Sequence, residues 1–109
     1  MRYELRIYEP QEGRAEALRQ RFEQHVLRIF PRHGIEVVGV FAPEPADGRL
    51  CYLTRFPDGA ASEAAWARFN ADAEWRDIKA ASEREAGGPL MKAQSVTVLA
   101  ALRPELALG

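Results

Sequence analysis

The sequence holds a single cysteine, Cys51, so no disulfide can form within the chain. Its opening, Met1-Arg2-Tyr3-Glu4, lacks the apolar stretch that a secretory signal requires, and together these two absences point to a reduced, cytoplasmic setting. Long hydrophobic runs are missing as well. A stretch such as residues 37–42, with Gly39 inside it, falls far short of the roughly 20 residues needed to cross a bilayer, so no membrane partner is expected. Nor is there an excess of charge of one sign. Fifteen basic against 16 acidic residues leave a formal charge of −1, too little to neutralise a phosphate backbone, and nucleic acid is not expected as a partner.

Familiar catalytic motifs are absent too. The chain has no GxxxxGK phosphate loop and no GxSxG turn, and one Cys with two His cannot make up a zinc-spaced ligand set, so neither a metal nor a cofactor is expected. What is present is a globular composition, 47% hydrophobic and 28% charged, over 109 residues. That length suits one domain spanning 1–109, and a chain of 12.2 kDa should leave about 6,000 Å² of surface accessible.

The hydrophobic patterning supplies the elements. Residues 2–9 alternate, with Tyr3, Leu5 and Ile7 on one side and Glu4, Arg6 and Tyr8 on the other, which predicts a strand. From Ala15, the residues Leu18, Phe22, Val26, Ile29 and Phe30 recur at helical spacing, with a kink expected near Pro31 and a glycine stop at His33-Gly34. β-Branched residues over 35–41 and the alternating run 50–56 predict two strands joined by a Pro- and Gly-rich loop. A helix capped at Ser62-Glu63 follows, with a break over 70–73, a second helical piece holding Trp75 and Ile78, and a last strand over 95–102. The order βαββαβ is the α+β, ferredoxin-like split βαβ arrangement, a four-stranded antiparallel sheet with its helices on one face. Its other face is left bare, and a second copy of the chain is the simplest cover.

Four places in this order resemble the NIPSNAP family of the dimeric α/β barrel superfamily. They are the opening Tyr3-Glu4-Leu5-Arg6-Ile7-Tyr8, the pair Gly13-Arg14, His33-Gly34 with Val38-Gly39, and the box Asp72-Ala73-Glu74-Trp75. The resemblance implies a homodimer whose two sheets face each other around a barrel-like cavity. The wider superfamily is similar in fold to cofactor-free monooxygenases, small degradative enzymes and haem proteins. This chain has Tyr52 and Thr54 where the family's third strand often carries His and Trp.

Strand parity then selects a candidate site. If Leu5 and Ile7 face the helices, Glu4, Arg6 and Tyr8 face the interdimer cavity together with Tyr52, Thr54 and Phe56, while Cys51 turns toward the helices. Such a set could bind a small phenolic or acidic ligand, with Arg6 as the anion-binding fork, the two tyrosines as orienting groups and Glu4 as a base. It could equally be Glu4 and Arg6 pairing with one another in a filled interface. His33 reads as a cation at a helix end, His25 as a residue at the border of the apolar stripe, and Trp66, Phe69, Trp75 and Ile78 as core. Three functions follow: a ligand-binding or cofactor-independent, monooxygenase-like cavity protein; a structural or interaction homodimer without catalysis; and a haem-binding protein with a histidine ligand.

Overall fold

A computed structural model describes residues 1–108. The alternating run forms β1 (Arg2–Pro10), and Gly13, with φ +75°, turns the chain into α1 (Ala15–Arg21). The long helix is less regular than its apolar spacing predicts. A wider π turn over Phe22–Val26 interrupts it, followed by the short α2 (Leu27–Ile29) and a tight turn over Phe30–His33. Phe22 and Val26 at the two ends of the π turn are both buried in the core, as their four-residue spacing predicts, while His25 is only half-buried. Gly34 ends the stretch in the left-handed region, where its N–H bonds the Pro31 carbonyl and the Ile35 N–H bonds the Phe30 carbonyl.

Strands β2 (Glu36–Phe41) and β3 (Leu50–Phe56) form the predicted hairpin. The next helix starts earlier than expected. Asp58, not Ser62, accepts the Ala61 N–H and caps α3 (Gly59–Ala71), and Ser62 lies inside the helix, turned inward. Asp72 both ends α3 and caps α4 (Ala73–Ala86) by accepting the Trp75 N–H at 3.0 Å. The last strand, β4 (Met91–Ala100), starts earlier than 95 and ends before 102 because its pairing follows β1 back to Pro10, through a bulge at Glu9.

The sheet order is β2-β3-β1-β4, antiparallel throughout, with Leu5 opposite Leu53 and Thr97, and Glu4 opposite Thr54 and Val98. This register settles which side of each strand meets the helices, and it is the reverse of the parity expected above. Glu4, Tyr52, Thr54 and Phe56 are 0–1% exposed under the helices, joined there by Arg6 and Tyr8, while Leu5, Ile7, Cys51, Leu53 and Leu99 line the uncovered face.

Two effects decide the parity. The rings of Tyr52 and Phe56 bury far more apolar area than leucine or isoleucine and enter an aromatic cluster with Phe22, Phe30, Phe69, Trp66 and Trp75. The helices also bring donors for Glu4, which makes its burial tolerable. On the uncovered face, Phe41 lays its ring directly over Gly39, where a Cβ would stand 2.5 Å from the ring. The residues after β4 fold back across one end of that face, and the Leu108 carbonyl accepts from both Tyr3 Oη and Arg55 Nη1.

Candidate functional site

The six residues selected from the sequence do come together, but in the layer between sheet and helices. Glu4 is their centre. One carboxylate oxygen accepts from Arg2 Nε at 2.9 Å and from Ser62 Oγ; the other accepts from Arg6 Nη2 at 2.9 Å and Trp66 Nε1 at 3.0 Å. Burial by itself would raise the Glu4 carboxyl, but the four donors, Ser62 and Arg6 foremost, outweigh it and hold the group at about 2. A carboxylate with both oxygens doubly occupied and so low a pKa is a poor proton acceptor near neutral pH, which removes the role of base expected for it.

Arg6 lies flat over the Trp66 ring, its guanidinium carbon 3.8 Å from the ring centroid. Its Nε is buried with no hydrogen-bond partner. Beyond it the Tyr8 and Tyr52 hydroxyls meet at 2.5 Å, and burial raises both phenols above their ordinary value, so neither is poised to ionise. Thr54 donates to the Glu4 carbonyl at 3.3 Å, and Phe56 packs edge-on to Trp66. The set is thus a seam of two neighbouring, mostly satisfied polar groups, one around Glu4 and Arg6 and one made by Tyr8 and Tyr52. A cavity of about 50 Å³ touches it at Tyr8, enough for a water molecule or two.

Sequence reasoning missed Ser62 and Trp66, which complete the seam from α3, and Arg21, which approaches Tyr8 from the end of α1. Only the helical phase of Ser62 and Trp66, four residues apart, pointed to a shared face. Cys51, expected on the helix side, lies instead on the uncovered face with Ile7 opposite.

The histidines take structural positions. His33 donates from Nε2 to Asp72 Oδ2 at 2.6 Å, linking the end of the first helical stretch to the α3–α4 junction. Asp72 is held at about 2, first by the Trp75 N–H that it caps and then by His33 and Arg32. His25 stands half-buried beside Arg28 and lines a groove between α1 and α4. Among the described residues no group of three His, Cys, Asp or Glu side chains converges as a metal site, and no helix is long and apolar enough to cross a membrane.

The sequence model of the NIPSNAP family matches residues 3–103. Among curated proteins none matches this chain. Of solved structures, protein Atu4242 from Agrobacterium tumefaciens superposes with a TM-score of 0.79 at 23% identity, covering 95% of this chain and 96% of its own. An uncharacterised NIPSNAP-like domain protein from Burkholderia xenovorans gives 0.80 at 19% identity over 99% and 90%. A protein from Deinococcus radiodurans provisionally named an antibiotic biosynthesis monooxygenase gives 0.65 at 13% identity over the whole of both chains. At these identities the likenesses establish a shared fold.

Proposed function

Because the chain belongs to the NIPSNAP family, which its match over residues 3–103 establishes, we propose that it works as a homodimer joined through the uncovered face of its sheet, in a structural or interaction role rather than as an oxygenase. The observation that carries this reading is the face itself, where Leu5, Ile7, Leu53 and Leu99 stand in register with none of the helices α1 to α4 above them and only residues 101–108 bordering Leu53 and Leu99 at one end. Surface area supports it. The single chain exposes 6812 Å², roughly 800 Å² above the scaling value for its mass, which is about one partner's share of a standard interface. The charged groups of that face on β2 and β3, Arg55 and Glu36, are gathered at one end with Tyr3 and bonded to one another or to Leu108, and beside Leu5, Ile7 and Leu53 the β4 side adds only the small hydroxyl residues Thr97 and Ser95.

An oxygenase acting on a phenol needs a group to take its proton, and neither Glu4 nor the Tyr8–Tyr52 pair is tuned for that. Sedimentation equilibrium at micromolar concentration should give about twice 12.2 kDa. A well-folded monomer under those conditions defeats the proposal.

One observation favours a second reading, binding of a small phenolic or acidic ligand by the original six residues. The unpartnered Arg6 Nε is a buried donor that an anionic oxygen would satisfy. In that case benzoate or phenol should quench Trp66 fluorescence saturably, and Arg6→Lys, which keeps the charge on Glu4 but loses the planar fork, should weaken the effect at least tenfold. Absence of quenching in the unaltered protein removes this reading.

A further inference from the structure

A groove of about 420 Å³ runs along the outer side of the helix layer, walled by Arg14, Arg21 and His25 on the first helical stretch and by Ile78, Ser82 and Glu85 on α4. Arg21 is what sets it apart. At 7% exposure it is the one basic residue among the buried described residues, and it lines both this groove and the 50 Å³ inner cavity beside Tyr8. Its Nη1 donates to Ser82 Oγ at 3.0 Å and its guanidinium carbon lies 5.1 Å from the centre of the Trp75 ring. Five N–H donors with one bonded partner leave most of the group's capacity unused. The contrast with Arg2 and Arg6 is plain, since both of those rest on Glu4, whereas no described carboxylate lies within salt-bridge reach of Arg21.

Charges around the groove do not remove the deficit. Glu83 acts on Arg21 only at longer range, its carboxylate being taken by Lys79 Nζ at 2.8 Å. Glu85 is an exposed wall residue, and Arg14, whose Nη2 donates to the Ala86 carbonyl, adds a second positive charge. Among the described residues only Arg6 Nε is a buried side-chain nitrogen without a partner, so the free N–H groups of Arg21 open onto the groove, a space of the size that small ligands occupy, where an anion would meet them.

We propose that the groove between α1 and α4 is a binding site for a small organic anion, whose carboxylate or phosphate head pairs with Arg21, itself held by Ser82, whose hydroxyl proton goes to the Lys79 carbonyl, while a short apolar body lies along Ile78. The site is independent of the homodimer, since the groove lies in the helix layer, on the opposite side of the sheet from the proposed interface. It meets the Arg6 seam only through Arg21, which also faces Tyr8 across the inner cavity, and it is read at Trp75 rather than at Trp66.

The test is a heteronuclear NMR titration of the full chain with benzoate, phenyl phosphate, inorganic phosphate and neutral benzyl alcohol, following the Arg21 Nε–Hε and Trp75 indole resonances. The expected result is a saturable shift of both with benzoate or phenyl phosphate, the tighter of the two identifying the head group, and none with benzyl alcohol. Arg21→Met should weaken that binding by about tenfold or more. Glu85→Gln, at an exposed position, should tighten it about two- to fivefold by removing a competing negative charge.

Lack of a saturable shift with either organic anion overturns the proposal, as does equal binding of benzyl alcohol or unchanged affinity in Arg21→Met. Inorganic phosphate binding as tightly as both aromatic anions overturns the apolar part of the site. If Arg21→Met fails to fold, Glu85→Gln decides: unchanged or weaker binding defeats the proposal. A monomer in sedimentation, by contrast, bears on the dimer alone.

Discussion

Leu53→Arg is expected to leave each subunit folded and to halve the mass seen in sedimentation equilibrium. Leu53 sits in the middle of β3, between Leu5 and Gly39, on the face that no helix covers. In an isolated subunit the new guanidinium reaches water, so a denaturant melt should move little. In a two-fold symmetric pair the same residue enters the interface from both sides, placing two like charges in an apolar layer. The penalty for burying uncompensated charge, about 3 kcal/mol or more, corresponds to at least a hundredfold weaker association. A variant that stays dimeric would move the contact to another surface, and one that unfolds would make Leu53 a core residue.

Glu4→Leu should be the most damaging single change within the subunit. It removes the acceptor of four hydrogen bonds and leaves Arg6, Ser62 and Trp66 without their shared partner in a layer where Glu4 is 1% exposed. Breaking a buried pair by deleting one member costs about 3–5 kcal/mol, which denaturant melts would resolve easily. A loss below about 1 kcal/mol would mean that water replaces the carboxylate and that the seam is not under tension from burial.

The same carboxylate sets a pH dependence. Its value in the folded chain, about 2, lies below the ordinary 4.5, so the stability that it contributes is complete above pH 4.5 and is lost as pH falls from there toward 2. Asp72, lowered from 3.8 to about 2, acts in the same direction over nearly the same range. The unaltered protein should therefore weaken steeply below pH 4.5, and Glu4→Leu should have a shallower acid limb.

The element order was legible because turns and periodicity coincide: Pro10 to Gly13, His33-Gly34, Asp47-Gly48 and Gly87-Gly88 each punctuate a change of period. The side of the sheet that meets the helices was not. On β1 both sets of alternating residues are amphipathic, and nothing local separates Leu5 and Ile7 from Glu4, Arg6 and Tyr8. The choice depends on Ser62 and Trp66, brought in by a helix more than 50 residues later. A buried glutamate is costly until its donors are counted, and those are tertiary facts. The π turn over Phe22–Val26 is likewise not legible, since apolar spacings of three and four residues do not distinguish it from a regular helix.

The strand order also has a consequence in time. β1 is made first yet lies inside the sheet, between β3 and β4, and Tyr8 meets Gln94 roughly 85 residues further along the chain. At the usual pace of about 5–20 residues per second, some 4 to 17 seconds of synthesis separate those two residues. During that interval β1 can pair with β3 on one side while its other edge offers free backbone donors and acceptors to any neighbouring strand. A nascent chain of this topology is therefore exposed to misassociation late, after the helices have been made, and its vulnerability ends with the arrival of β4.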